Sequence, residues 1–472
     1  MAYSIPYQAT ATFFIFFATA IARIPPLWAG VIVAVSAVWD ALVDPLVGYL
    51  SDNSESRSGR RHPFLLWGTA GIAVSSALLW RISPDLPLGP RIALIAALLL
   101  ALKTGLAVFN IPYTALGGEL SSDYDERIAI QGVRAAFYVA GMIVAIVGGT
   151  VLFFRATPDY PRGQLNPEAY PRMALAFAAL ATASGLVAWA ATRAFIPSLP
   201  VRSDAMRKRA ISLRNLTGDV REALGNRDLR MVVLMIFVLE AGFQFGIALG
   251  IHVNTYTYGL SAPLIGLMAL VILGMTILSQ PFWVAFSKRF EKRTALLVSG
   301  VIAVVGFLLP PWVLVWWKLV PLHTTAALVA LGVFSAFGGV ANGAFMSIPN
   351  SMIIDVADAE ELRTGKRDEG LFFGTYVLAY KLGTSVSLVL SGFALGWMGF
   401  DPGLATQSER TQFLLAMAPT WLLLLVLPFT FACIIRYGIT RERWRATRRA
   451  LEARGGPPSQ HVAADRGPVQ GT

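Results

Sequence analysis

The sequence has little charge and almost no cysteine, and both shortages restrict what the chain can be. Of its 472 residues only 14% are Asp, Glu, Lys or Arg, whereas 55% are hydrophobic. Soluble domains carry about 25% charged residues, so this composition predicts a protein with several membrane-spanning helices. The single cysteine, Cys433, lies in an apolar run, which excludes a disulfide framework or a thiolate metal site within the chain. We expect Cys433 to be inert packing, and we expect no structural metal and no cofactor.

Acidic residues are scarce relative to basic ones, 28 against 39, which gives a formal net charge of +11. A basic chain can bind nucleic acid. Here, however, Lys and Arg collect in short segments between apolar runs, and no aromatic-basic recognition module accompanies them. The pattern indicates contact with a lipid bilayer and no nucleic acid. The N-terminus lacks a basic segment and an Ala-rich cleavage site, so no cleavable signal peptide is predicted.

Twelve apolar runs are each long enough to cross about 30 Å of hydrocarbon as a helix. They lie at residues 4–22, 27–51, 63–82, 91–117, 129–154, 172–196, 229–258, 262–287, 294–316, 324–351, 369–397 and 412–437. The predicted units are a six-helix bundle (1–196), a central loop (197–228), a second six-helix bundle (229–437) and a basic tail (438–472). This is an all-α polytopic membrane protein, and we expect a monomer.

The basic residues predict the orientation, because short cytoplasmic loops of membrane proteins hold the excess of Lys and Arg. The loop after the second run, the central loop, the segment 288–293, the segment 363–367 and the tail are all basic. They lie on one side of the membrane if the N-terminus is inside. The sequence therefore predicts a multi-pass protein of the inner (plasma) membrane with both termini in the cytoplasm.

An internal repeat supports the division into halves. The segment DPLVGYLSDNSESRSGRR at Asp44 has a counterpart in QPFWVAFSKRFEKR at Gln280, and FNIPY around Pro112 has one in MSIPN around Pro349. The offsets are 236 and 237 residues, which is typical of two parallel six-helix repeats. In such proteins the substrate site lies between the repeats near the middle of the membrane.

Three separated motifs carry a resemblance to a known family. They are WDALVDP, NIPYTALGGELSSDYDER and IPNSMIIDVADAEELRTGKRDEGLFFGTYVLAYKLG. In this order they resemble the glycoside-pentoside-hexuronide:cation symporter family of the major facilitator superfamily, in its melibiose-permease branch. The loop from Gly48 to Arg61 also resembles the superfamily signature, a glycine and an aspartate followed by basic residues. The resemblance implies a major facilitator fold and cation-coupled sugar transport.

Two carboxylates, Asp40 and Asp44, lie four residues apart on one face of the second predicted helix. An ionised carboxylate in a bilayer costs several kcal/mol without a partner, so the pair should face the protein interior. Carboxylates suit Na⁺ or a proton, and a structural ion pair is the alternative. Lys381, near the middle of the eleventh run, is the expected counter-ion, either mobile or fixed. The resemblance implies that both carboxylates form the cation site, with this lysine between them, and we add Asn110 to it.

Candidate substrate residues lie on three of the predicted helices: Asn110, Tyr113 and Thr114, then Arg134, and finally Glu240 and Gln244. The melibiose branch has an aspartate at the match of Asn110 and a tryptophan at that of Thr114. Its aspartate on the first helix has no match here, so the sugar is not identified. For Glu240 and Gln244 packing and substrate contact stay open. Lys103 is either a cavity residue or a side chain that reaches the membrane surface.

Charged residues near the predicted cytoplasmic loops are interpreted as gate ion pairs that break when cargo is released. They are Asp52, Arg60, Arg61, Asp123, Glu126, Arg127, Asp355, Asp358, Glu361, Arg363 and Arg367. Arg134 could belong to this gate, although the resemblance implies that it reaches the cargo.

The predicted function is Na⁺- or H⁺-coupled symport of a sugar or glycoside by alternating access, without covalent catalysis. An alternative keeps the fold but changes the cargo to a lysophospholipid or another amphipathic molecule. A membrane-embedded polyprenyl transferase is disfavoured, although Asp40 and Asp44 resemble half of a Mg²⁺-diphosphate motif. Such enzymes need a second aspartate-rich motif, and the second-half match of Asp44 is Gln280. We therefore predict that the chain is not an enzyme.

Overall fold

The structure is a computed structural model that describes residues 1–54, 56, 58–120, 123–196, 218, 220–365 and 369–453. Within these ranges the side chains of residues 118, 124, 125, 127 and 128 are outside the description. Two predicted gate residues, Arg127 by its side chain and Arg367 entirely, therefore lie outside the described residues. So does most of the predicted central loop.

The first half of the chain forms six helices. They are α1 (Ser4–Ile21), α2 (Pro26–Asp52), α3 (His62–Leu79), α4 (Leu88–Glu119), α5 (Tyr124–Ile143, continued by Val144–Phe153) and α6 (Ala169–Arg193). Pro26 occupies the first position of α2, where its missing N–H costs nothing. The side chain of Asp123 accepts a hydrogen bond from the Glu126 backbone N–H at 2.9 Å and so fixes the start of α5.

The second half forms seven helices. They are α7 (Arg227–His252, continued by Val253–Thr257), α8 (Ala262–Leu278 and Gln280–Arg289), α9 (Lys292–Trp316), α10 (Thr325–Thr364), α11 (Glu369–Trp397), α12 (Glu409–Arg436) and α13 (Arg441–Ala453). Among the described residues eleven helices are long and apolar enough to cross a membrane, and the bent pair in α8 brings the number to twelve. The prediction of an all-α protein with twelve spans is confirmed.

Two helices depart from their predicted course. α8 bends by 40° between Leu278 and Gln280, because Pro281 begins the second segment and cannot continue the hydrogen-bond ladder. α10 continues to Thr364, well beyond the apolar run that was predicted to end at residue 351. Its last turns are polar and helix-forming, and Gly365 ends the helix in the left-handed conformation at φ 74°.

The helices pack within each half and across the boundary between them. In the first half α3 packs against α4 and α6, and in the second half α7 packs against α11 and α12. Among the described residues the most extensive contacts between the halves are those of α2 with α11, α5 with α8, and α1 with α7. A site between the halves is therefore bordered mainly by these six helices.

The basic side is defined as the end of the molecule at which α2, α4, α8 and α10 end. The other end is the opposite side. On the basic side α13 lies against the second half: Arg448 is 3.1 Å from Asp358, which is wholly buried. Arg441 donates to the Ser287 carbonyl oxygen at 2.7 Å. These bonds make α13 part of the folded second half.

Candidate functional site

The first element of the site is an ion pair between the halves. Lys381 of α11 donates to Asp44 of α2. The Asp44 side chain is 24% exposed and that of Lys381 51%. The predicted contact between Lys381 and this carboxylate is therefore present. An ion pair that joins the two halves must break whenever α2 and α11 separate at the position of Asp44 and Lys381.

The second element is an ion pair within the first half. Lys103 Nζ of α4 lies 2.7 Å from Asp40 Oδ2 of α2. Of the two alternatives for Lys103, the structure supports the interior position. The expectation that Lys381 lies between both carboxylates needs correction, because each carboxylate has its own lysine. The reason is geometric: α4 packs along α2 and presents Lys103 at the level of Asp40.

A third element surrounds Arg134 of α5. Its guanidinium donates to Thr114 Oγ1 at 3.0 Å and to Gln131 Oε1 at 2.9 Å, and it lies 5.3 Å from the centre of the Tyr113 ring. Arg134 and Tyr113 border a cleft of about 200 Å³ between α4, α5 and α6. Most of its lining is apolar: Leu116, Leu120, Ile130, Val187, Ala188 and Ala191. The structure thus brings together three of the predicted substrate residues, and half-buried Asn110 lies one turn before Tyr113 on α4.

Glu240 and Gln244 of α7 contribute a polar stripe in the second half. Gln244 Nε2 donates to Glu240 Oε2 at 3.1 Å, and both residues are half-buried. Tyr7 of α1 lies within electrostatic range of both Glu240 and Asp40, so the stripe and Asp40 belong to the same region of the interior. Among the described residues, no group of three or more His, Cys, Asp or Glu could hold a metal ion.

Some predicted gate residues form a cluster within the first half. Arg61 lies 2.6 Å from Glu119 and 3.0 Å from Asp52, and Arg60 also lies 2.6 Å from Glu119. Glu119 was not among the residues predicted from the sequence. An acidic residue at the end of α4 and two arginines in the loop after α2 could have indicated this contact. The cluster ties the loop after α2 to the end of α4.

Other predicted gate residues pair within the second half. Lys292 is 2.5 Å from Asp355, Arg448 is 3.1 Å from Asp358, and Arg363 pairs with Glu360. Glu361 also has a partner. Asp355 and Arg363 thus have ion-pair partners within their own half, and their role in a gate stays a prediction. Helix α13 supplies Arg448, which lies in the segment predicted from the sequence to be a basic tail.

The halves approach closely on the opposite side. Thr19 of α1 and His252 of α7, both fully buried, share a hydrogen bond of 2.8 Å between Oγ1 and Nε2. Gln164 Nε2 donates to Thr255 Oγ1 at 3.0 Å and to the Leu260 carbonyl oxygen at 2.9 Å. The rings of Phe16 and Phe400 flank His252 edge-on at 4.9 and 5.1 Å. Sequence reasoning did not predict this closure, since none of these residues is charged.

Gly30 of α2 and Gly392 of α11 bring the backbones of the two halves into close contact. A Cβ on Gly392 would lie 2.6 Å from the Gly30 nitrogen and 2.9 Å from the Pro26 carbonyl oxygen. A side chain at this position would push the two helices apart. The opposite side is therefore closed by backbone contact as well as by hydrogen bonds.

Twelve spans, charged pairs between and within two helical halves, and closure at one end define a membrane transport protein. A family comparison agrees: the description "MFS/sugar transport protein" matches residues 1–441. The chain belongs to this family of the major facilitator superfamily, whose members are transporters and not enzymes.

Relatives match over almost the whole chain. An uncharacterized symporter of Synechocystis sp. is 26% identical over 94% of this chain and 93% of its own length. Sodium-dependent lysophosphatidylcholine symporter 1 of Xenopus tropicalis is 27% identical over 95% and 87%. Sphingosine-1-phosphate transporter MFSD2B of Xenopus tropicalis is 25% identical over 94% and 87%. The similarity to symporters confirms the transporter class; the melibiose-permease branch stays a prediction.

A solved structure shows the same fold. The bacterial homologue of the human lysosomal transporter Spinster superimposes with a TM-score of 0.67 at 13% sequence identity, over 92% of this chain and 95% of the other. The predicted major facilitator fold is confirmed.

Proposed function

We propose that this protein is a cation-coupled symporter whose cargo is a lysophospholipid or a similar amphipathic phosphate. Two observations favour this cargo over a sugar. Two relatives that match nearly the whole chain are named for lysophosphatidylcholine and sphingosine-1-phosphate. The second observation is the set of contacts around Arg134, and the proposal rests on this observation.

Arg134 places one fixed cation at the border of an apolar cleft. A guanidinium binds phosphate through two parallel hydrogen bonds, so Arg134 suits a phosphate headgroup. The aliphatic lining of the cleft suits an acyl chain, whereas a sugar needs several hydrogen-bonding partners. Val187, which lines the cleft, is 67% exposed, so the cleft reaches the surface of the helix bundle that faces lipid. An amphipathic cargo can enter along this route.

The carboxylates and lysines supply the coupling. We infer that Lys381 holds Asp44 in the absence of a cation and leaves when a cation takes its place, so that ion occupancy and the arrangement of the halves form one equilibrium. Coupling further requires that the cation and the cargo raise each other's affinity. By the excess of Lys and Arg on the basic side we assign that side to the cytoplasm, with both termini there. The close contacts on the opposite side then correspond to a carrier closed to the exterior.

Transport into proteoliposomes tests the proposal. We expect saturable uptake of lysophosphatidylcholine or sphingosine-1-phosphate under an inward cation gradient. Arg134→Gln should reduce this uptake about tenfold, because a charge-assisted bond to the phosphate is lost. Arg172→Gln is the matched control, since Arg172 pairs with Glu168 on the surface and is 70% exposed. It should leave uptake unchanged.

Two outcomes would contradict the lipid assignment. Saturable uptake of a glycoside, with none of the lysolipids, would return the cargo to the sugar class of the family description. Equal lysolipid uptake by Arg134→Gln and the parent protein would remove Arg134 from the binding site.

A further inference from the structure

Lys103 of α4 contacts residues of two other helices of the first half, Asp40 of α2 and Tyr7 of α1. Its Nζ lies 2.7 Å from the Asp40 carboxylate and 5.7 Å from the centre of the Tyr7 ring of α1. The neighbouring residues make a second bond between the same helices, because Trp39 Nε1 of α2 donates to Thr104 Oγ1 of α4 at 2.8 Å. The ammonium and the carboxylate are therefore fixed relative to each other.

The Asp44 pair differs in where its lysine comes from. Lys381 belongs to α11 of the second half, so rocking of the halves can separate it from α2. Lys103 and Asp40 belong to one half and move together. Rigid-body rocking of the halves therefore does not separate Asp40 from its ammonium partner.

A resident ammonium changes what the two carboxylates can bind. Asp40 and Asp44 face the same side of α2, one helical turn apart. A sodium ion shared by them would lie within a few Å of Lys103 Nζ. At about 4 Å and an effective dielectric constant of about 20, the repulsion between two unit charges lowers sodium affinity by roughly 1,000-fold.

We propose that Lys103 determines the ion selectivity of this carrier: it acts as a built-in cation at Asp40 and excludes sodium from the carboxylate pair. This inference rests on the proposed cation-coupled transport and specifies its ion site. Asp44 is then the one carboxylate of the pair at which an external ion exchanges. A hard metal cation needs several oxygen ligands, whereas a proton needs one. Because Lys103 excludes sodium from the carboxylate pair, transport of the cargo is not coupled to sodium.

Sodium binding to the purified full-length protein tests the proposal without any cargo. Radioactive sodium is equilibrated with the parent protein and with Lys103→Met, at constant ionic strength set with choline chloride. We expect no saturable binding by the parent and saturable binding by Lys103→Met. The binding should disappear again in Lys103→Met combined with Asp40→Asn. Lys288→Met, at an exposed lysine of α8, is the matched control and should behave like the parent.

Two results would overturn the proposal. One is saturable sodium binding by the parent that Lys103→Met leaves unchanged. The other is absence of sodium binding in both Lys103→Met and Lys103→Gln when each is monodisperse in detergent, since Lys103 would then not be what excludes sodium. A failure of lysolipid uptake would refute the proposed cargo and leave this measurement intact. Because the vertebrate relative is named sodium-dependent, the measurement also decides whether this chain shares that dependence.

Discussion

The two lysine–carboxylate pairs of α2 differ in which half supplies the lysine. Lys103 reaches Asp40 from the same half, whereas Lys381 reaches Asp44 from the other half. Both pairs join an ammonium to a carboxylate, so their place in the fold is what gives them different roles. A contact within one half contributes to stability in every state, and a contact between the halves contributes in some states only. In the same way, the Thr19–His252 bond joins the two halves, whereas the Arg61–Glu119 pair lies within the first half.

The largest expected effect follows from neutralising the carboxylate that faces the other half. Asp44→Asn cannot exchange a charge with Lys381, so accumulation of cargo against a gradient should fall to background. Exchange of labelled for unlabelled cargo should continue, because rocking of the halves does not require net ion movement. Both are measured in proteoliposomes. Asp159→Asn, at an exposed loop aspartate, is the control. Undiminished accumulation by Asp44→Asn would show that the two pairs do not differ as described.

A smaller effect is expected where the halves touch without charge. In Gly392→Ala the new methyl group meets the backbone of Gly30, and overpacking of this kind costs about 1–3 kcal/mol. Closure on the opposite side should weaken, and the uptake rate should fall about tenfold. Labelling of a cysteine introduced by Thr19→Cys should increase, because Thr19 lies in that closure.

Gly374→Ala gives the matched comparison for this position. Gly374 lies on the same helix, and a Cβ there meets nothing within 4 Å. Alanine is also the better helix former, so this variant should be as active as the parent. If both alanine variants transport equally fast, close approach of α2 and α11 is not part of the cycle.

The smallest effect on transport is expected for a pair inside one half. Glu119→Gln weakens the bonds to Arg60 and Arg61, and the free energy of unfolding should fall by about 1–3 kcal/mol. The cation dependence of uptake should not change. Glu168→Gln removes an exposed pair and should change stability by no more than about 0.5 kcal/mol. Thermal unfolding in detergent measures both. An altered cation dependence in Glu119→Gln would place this residue in a gate between the halves.

The sequence predicts the spans well, because the length of an apolar run and the thickness of the bilayer determine where a helix can cross. The predicted end of α11, residue 397, agrees with the structure. The continuation of α10 was missed because its last turns, such as those around Glu361, are polar and lie past the apolar run. Hydropathy carries no information about a helix that continues into water.

It was harder to predict which charged residues pair with each other than where each of them lies along the helices. Asp40 and Asp44 were identified from their spacing, but which lysine meets which carboxylate depends on the packing of α4 and α11 around α2. That packing is set by contacts far apart in the sequence. The Thr19–His252 bond was not predicted for another reason. Neutral polar residues at the ends of apolar helices are common, and the local sequence does not show which two of them will contact each other.

Helix α13 has a consequence for how the protein is made. Arg448, the partner of fully buried Asp358, belongs to the last helix of the described chain. It leaves the ribosome after all the membrane-spanning helices have been synthesised. The second half therefore completes its internal neutralisation only after α12 has been synthesised, and until then the nascent chain carries this acid without Arg448.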